Sequence, residues 1–260
     1  MNKPAISIQD ICFAYDNHVI YQSFTLDIEE NDISFIMGLN GCGKTTLLKI
    51  ICAFLKVQSG EILVRGRKLY DYDNKFLART IAYVPQIANM NSDFLVKDYL
   101  ALGRTPYMGI IGNLRKDDYD IVESFAQDLG IMDILNNEFN QLSGGQKQIV
   151  SICRALVQES PIIILDEPMS ALDMGKQAEF LSLLLKLKSE GKTIVLTSHN
   201  PNHAFAIEES SSVCFIHDGS ILALGKPRQV LTPDNMLRVF GDKVSFDENK
   251  RYINFNVRNC

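Results

Sequence analysis

Residues 38–45 read Gly38-Leu39-Asn40-Gly41-Cys42-Gly43-Lys44-Thr45, a G-x-x-x-x-G-K-[ST] spacing that follows a short apolar run and precedes a longer one. Such a loop turns its backbone N–H groups toward phosphate oxygens, and its lysine can reach the β- and γ-phosphates. The threonine hydroxyl can face a magnesium ion, and the helix that opens here adds the positive potential of its N-terminus. Gly38, Asn40, Gly41, Cys42 and Gly43 are therefore the candidate cradle, with Lys44, Thr45 and Thr46 at the head of the helix. Cys42 lies beside a lysine and a helix N-terminus, so a lowered thiol pKa is expected, and alkylation there should block nucleotide binding.

Two further constellations could act on the same ligand. Pro161-Ile162-Ile163-Ile164-Leu165-Asp166-Glu167-Pro168 is an apolar strand ending in two carboxylates. Asp166 is placed to hold Mg²⁺, directly or through water, and Glu167, pointing the other way, to orient and deprotonate an attacking water. Upstream, Leu142-Ser143-Gly144-Gly145-Gln146 precedes a helix-compatible run. A serine cap and glycine amides at a helix start make a second anion site. One chain does not need that site beside its own phosphate loop, so the excess implies a dimer.

The elements that must carry these residues follow from periodicity. Residues 6–13 and 24–28 alternate apolar and polar side chains, as half-buried antiparallel strands do. The runs at 33–37, 62–64, 81–84, 162–165, 193–197 and 213–216 read as strands, several with the continuous apolar character of a parallel sheet buried on both faces. A helix is expected over 47–55. Between about 95 and 156 strand signals give way to helical spacing, as in Tyr119, Ile121, Val122, Phe125 and Leu129, so a helical subdomain is expected there. Asp218-Gly219 marks a hairpin, and the alternating tail from 244 to 257 a second one. The fold class is α/β, with a mostly parallel core sheet flanked by helices, a small antiparallel N-terminal sheet and a helical insertion.

Composition bounds the partners. The chain has 260 residues, 46% of them hydrophobic, and a net charge of −5, which gives no basic footprint for nucleic acid. No apolar run approaches the roughly 20 residues that a membrane-crossing helix needs. Six widely spaced cysteines with no CxxC and no secretory signal are expected to be reduced, cytosolic thiols.

With its motifs in this order, the sequence resembles the nucleotide-binding subunits of ABC transporters over nearly its whole length. The resemblance implies a P-loop cassette over 1–241, with a RecA-like core at 1–90 and 157–241, a helical subdomain at about 91–156 and a hairpin extension at 242–260. It implies ATP and Mg²⁺ as ligands. Tyr15 matches the aromatic that stacks on adenine, and Gln86, after Tyr83-Val84-Pro85, the glutamine that senses Mg-ATP and the membrane partner and can face the metal with Thr45 and Asp166. Ser170-Ala171-Leu172-Asp173 matches the loop that communicates between subunits, and His199 the switch histidine on the γ-phosphate. Lys44, Gln86, Glu167 and His199 are then the catalytic set. A head-to-tail homodimer is implied, each ATP lying between Lys44 of one subunit and Ser143 with Gly144, Gly145 and Gln146 of the other. Asn200 stands where the family usually has Asp, and Met169 where it has a hydroxyl residue; Asn200 can still cap a helix starting at Pro201.

Leu100-Ala101-Leu102-Gly103-Arg104-Thr105-Pro106-Tyr107 and His199-Asn200-Pro201-Asn202-His203-Ala204 resemble segments of importers for siderophores, haem, cobalamin and related metal compounds. Two separate transmembrane permease subunits, a substrate-binding protein acting through them, and a place on the cytoplasmic side of the cell membrane are implied. The alternatives are the motor of an exporter, a soluble ABC ATPase working on nucleic acid, and a nucleotide switch without turnover.

Overall fold

The computed structural model describes residues 4–86, 93–109, 114–241, 244–247 and 252–255. The chain divides into two compact units, residues 1–71 with 179–260, and residues 72–178.

The first unit opens with β1 (Ile6–Tyr15) and β2 (His18–Ile28), an antiparallel pair. β1 buries Ile6 and Ile8, then Ile11 and Phe13, a change of parity that a flat strand would not allow. A register shift between Ile8 and Ile11, with Asp10 at φ 50°, inserts the extra residue and returns the apolar side chains to one face. β3 (Ile33–Gly38) is buried along its whole length. α1 (Lys44–Ile51) follows, then β4 (Ser59–Val64) and β5 (Arg67–Lys68), which complete a side sheet of order β2-β1-β4-β5. The expected helix over 47–55 is displaced toward the N-terminus. Gly43, left-handed at φ 106°, caps it one residue before Lys44, and Ala53 at φ 58° ends it.

The second unit contains α2 (Asn74–Thr80), β6 (Ile81–Val84), α3 (Val96–Ala101), α4 (Lys116–Asp128), α5 (Gly144–Val157) and β7 (Ile162–Leu165). β6 and β7 pair in parallel, Ile81 with Ile162 through Val84 with Leu165. Between them the described residues form helices and turns, with one isolated bridge from Leu95 to Glu138. Val96, Tyr99, Leu100, Val122, Phe139 and Val150 anchor the core of this helical stretch. After α3 the chain continues as a 3₁₀ turn, Leu102–Tyr107, so the Gly-Arg-Thr-Pro segment ends the helix as well as carrying the resemblance.

α6 (Met174–Ser189) runs from the second unit into the first. There β8 (Thr193–Thr197), α7 (Pro201–Ala206), β9 (Ser211–His217), β10 (Ser220–Gly225), α8 (Pro227–Val230), α9 (Pro233–Phe240), β11 (Val244–Asp247) and β12 (Tyr252–Phe255) follow. β3 lies between β8 and β9, parallel to both, and β10 folds back on β9 through Asp218 and Gly219, both at positive φ as a two-residue hairpin requires. β11 and β12 pair antiparallel, the second hairpin expected from the tail. No helix among the described residues is long and apolar enough to cross a membrane.

Candidate functional site: a phosphate loop and a carboxylate strand end

In the first unit, β3 delivers the chain into the phosphate loop and α1 carries it away. The loop's shape demands its glycines. A Cβ on Gly38 would lie 2.3 Å from the Ile216 carbonyl oxygen, and one on Gly43 would lie 2.6 Å from the Tyr21 hydroxyl. Both residues, and Gly41, hold positive φ. Lys44 is only 6% exposed, and its Nζ donates to the Gly38 and Leu39 carbonyls at 3.0 and 2.9 Å. Thr45 is half-buried and Thr46 buried on the same turn.

A cavity of about 750 Å³ adjoins the loop. Leu39, Asn40, Gly41 and Cys42 form one wall, and the start of β2 and the β9–β10 turn, including His18 and His217, form the others. The sequence reading missed these two histidines. Their signal was positional, His18 three residues after Tyr15 and His217 beside the Asp-Gly turn. Tyr15 does not line this cavity. It ends β1, 43% exposed, with its ring edge-on to Phe13 at 4.9 Å between centroids.

Cys42 departs from expectation. Burial pushes its thiol above the ordinary value, and the opposing pull of Lys44 is the smaller effect. The neighbourhood of lysine and helix terminus is present, but the thiol is partly buried near Tyr21, Gly38 and Cys214, and a thiolate there loses hydration. Cys12 is the described thiol whose pKa moves down, through hydrogen bonds from Ser59 and Ser23.

His199 leaves the end of β8. Asn200 caps α7 as expected, its side chain accepting from the Asn202 N–H at 3.0 Å, with Pro201 at the first helical position.

In the second unit, β6 and β7 end side by side, and the Asp166 N–H extends their pairing to the Val84 carbonyl at 2.9 Å. Asp166 is 1% exposed. Glu167 holds φ 46°, a left-handed conformation that costs a non-glycine residue roughly 1–3 kcal/mol and clusters at functional positions. Ser170 Oγ donates to the Glu167 carbonyl at 3.0 Å, and Gln86, from the end of β6, donates through Nε2 to Glu167 Oε2 at 3.4 Å. The structure thus brings Gln86 and Glu167 together from positions 81 residues apart.

The signature segment, Leu142 to Gln146, leads into the N-terminus of α5. Ser143 Oγ accepts from the Gln146 N–H at 3.3 Å, and Gln146 Oε1 accepts from the Ser143 N–H at 2.9 Å, a reciprocal capping box. Gly144 and Gly145 are the first two residues of the helix, and a Cβ on Gly145 would stand 3.2 Å from the Ala171 carbonyl oxygen. Close approach to the 170–173 loop therefore favours glycine at 145. Asp173 accepts from the Lys176 N–H at 2.9 Å and so caps the start of α6.

A Thr45 hydroxyl, an Asp166 carboxylate and a Gln86 amide oxygen are hard oxygen donors, the chemistry that Mg²⁺ takes alongside substrate phosphates. Among the described residues no group of three or more His, Cys, Asp or Glu could hold a metal ion.

The ABC transporter family profile matches residues 21–170. The chain is 34% identical over 241 residues to the probable siderophore transport system ATP-binding protein YusV of Bacillus subtilis, covering 92% of this chain and 87% of that one. Among solved structures it is similar to an inward-facing putative metal-chelate type ABC transporter, at 30% identity and TM-score 0.80, covering 98% of this chain and 97% of that one. It is also similar to the dimeric bacterial cassette MJ0796, at 28% identity and TM-score 0.77, covering 86% and 99%. On its phosphate loop, its paired carboxylates, its capped signature helix and these matches, the chain belongs to the ABC transporter ATP-binding family, whose members are ATPases that power transport.

Proposed function

We propose that this chain is the ATP-hydrolysing subunit of an importer for a metal chelate or related metal compound, working as a head-to-tail homodimer on the cytoplasmic face of a membrane through two separate permease subunits. The cassette spans 1–241, with its core at 1–90 and 157–241, a helical subdomain at about 91–156 that grips the permease, and a C-terminal extension at 242–260. The meeting of Gln86 with Glu167 beside buried Asp166 carries the hydrolytic reading. The siderophore and metal-chelate relatives, with the Gly103 to Tyr107 segment, support the importer and its cargo class, within which an oxyanion such as molybdate also falls. A substrate-binding protein would deliver cargo to the permease.

In this reading the phosphate loop and Lys44 bind the β- and γ-phosphates, and Tyr15 stacks on adenine. Thr45, Asp166 and Gln86 would hold Mg²⁺, which when bound would supply positive charge against the phosphates. Glu167 orients a water and accepts its proton as the oxygen attacks the γ-phosphorus, giving ADP and phosphate, while His199 contacts the γ-phosphate. Ser143, Gly144 and Gly145 of the partner subunit close the same nucleotide from the other side, their helix N-terminus facing its negative charge, and Asp173 lies on the loop between subunits.

The test pairs two variants. Lys44→Ala is expected to abolish productive nucleotide binding. Glu167→Gln should retain ATP, lose roughly 100-fold or more of turnover, and accumulate dimers on size exclusion. Turnover at the unaltered rate in Glu167→Gln would remove Glu167 as the base.

A further inference from the structure

The helix after His199 carries a second histidine whose ring is built into the switch turn. His203, in the first turn of α7, is 8% exposed. Its Nδ1 lies 3.0 Å from Ser198 Oγ, and its Nε2 lies 3.4 Å from Asn200 Nδ2. Ser198 and Asn200 are the two residues that flank His199.

One assignment of hydrogens satisfies the cluster. Asn200 Oδ1 is committed to the Asn202 N–H, so the amide nitrogen of Asn200 is what faces the imidazole. That nitrogen can only donate, so Nε2 accepts and the ring proton sits on Nδ1, donating to Ser198 Oγ. Ser198 Oγ also accepts from the Asn200 N–H at 3.1 Å and sends its own hydrogen to the Asn200 carbonyl at 3.3 Å. A protonated ring would set its Nε2–H against the Asn200 amide hydrogens, donor against donor. Burial, with His199 nearby, pushes His203 down to about 4, in keeping with the neutral ring that the donors require. An aspartate at 200 would reverse the pattern, since a carboxylate accepts from Nε2–H.

We propose that His203 is a positioning residue for ATP hydrolysis: as the neutral Nδ1–H tautomer it clasps Ser198 and Asn200 and so fixes the backbone that aims His199. Asn200 and His203 form a matched pair, the amide selecting the tautomer and the ring holding the turn. The proposal rests on the reading that His199 acts on the terminal phosphate.

The full-length chain is assayed for MgATP turnover with His203→Leu, His203→Asn and His199→Ala, and the histidine rings of the unaltered chain are read by ¹⁵N NMR. Leucine fills the space without a donor; asparagine puts an N–H where Nδ1–H stood. His203→Leu is expected to lower kcat roughly tenfold or more with KM for ATP changed less than about twofold. His203→Asn should keep most of the turnover, and the His203 proton should stay on Nδ1 over roughly pH 5 to 8. Equal losses in both variants, a loss confined to KM, or a proton on Nε2 would overturn the clasp. If His203→Leu does not fold, the tautomer alone decides. Unaltered turnover in His199→Ala would instead strike the reading of His199, and leaves the tautomer result to judge the cluster separately.

Discussion

Protonating His203 should destabilise the fold, and the sign follows from its depressed pKa. The unfolded chain binds the proton near pH 6.5 and the folded chain only near about 4, so between these values the unfolded state holds more protons. The contribution is fully present above about pH 6.5, falls as pH drops, and is gone below about pH 4, an effect on the order of 3 kcal/mol. Urea midpoints across this window should fall more steeply for the unaltered chain than for His203→Leu; equal slopes would contradict the buried neutral ring. The sequence showed the single residues whose placement is fixed by spacing, such as the lysine and glycines of the phosphate loop and the asparagine cap before Pro201. It showed His203 only as part of a resembling segment, because the ring's partners depend on how Ser198 and Asn200 fold back across His199. Cys42 was misread for a related reason. Its charged neighbours are local in sequence, whereas Tyr21 and Cys214, which lie near it, are not.

At the scale of elements, Gly103 is where the 3₁₀ turn after α3 packs directly on the backbone of α5. A Cβ there would sit 2.4 Å from the Arg154 carbonyl oxygen on α5 and 3.3 Å from the Val157 side chain. The next residue, Arg104, is buried against α5, with its guanidinium bonded to Asp118, Glu159 and the Val157 carbonyl and stacked 4.2 Å from the Tyr107 ring centroid. Because the obstacle to a side chain is backbone, Gly103→Ala should cost roughly 2 kcal/mol, read as a lowered urea midpoint. An unchanged midpoint would mean that the segment shifts freely against α5. Apolar runs made the parallel strands legible, and the loss of strand signal marked the helical stretch. Helix limits were less legible: α1 starts at a left-handed glycine and stops at a left-handed alanine, conformations that periodicity does not encode.

For the whole molecule, no helix among the described residues is long and apolar enough to cross a membrane, and the chain is similar to ATP-binding proteins of transport systems. Isolated from native membranes in mild detergent, it should bring with it a protein of many spanning helices, identifiable by mass spectrometry. Recovery of nucleic acid or ribosomes in its place would overturn the transport reading while leaving the ATPase reading intact. The order of the core strands, and both hairpins, were legible in the sequence. The division at residues 72 and 178 was not, since it reflects how contacts distribute in space. Lys44 already makes two charge-assisted bonds to loop carbonyls, each worth roughly 1.5–3 kcal/mol. A ligand that draws the ammonium away must replace them, which a polyphosphate can do and adenosine cannot. Only a ligand with enough negative charge to outweigh both bonds would engage the lysine, whatever base it carries.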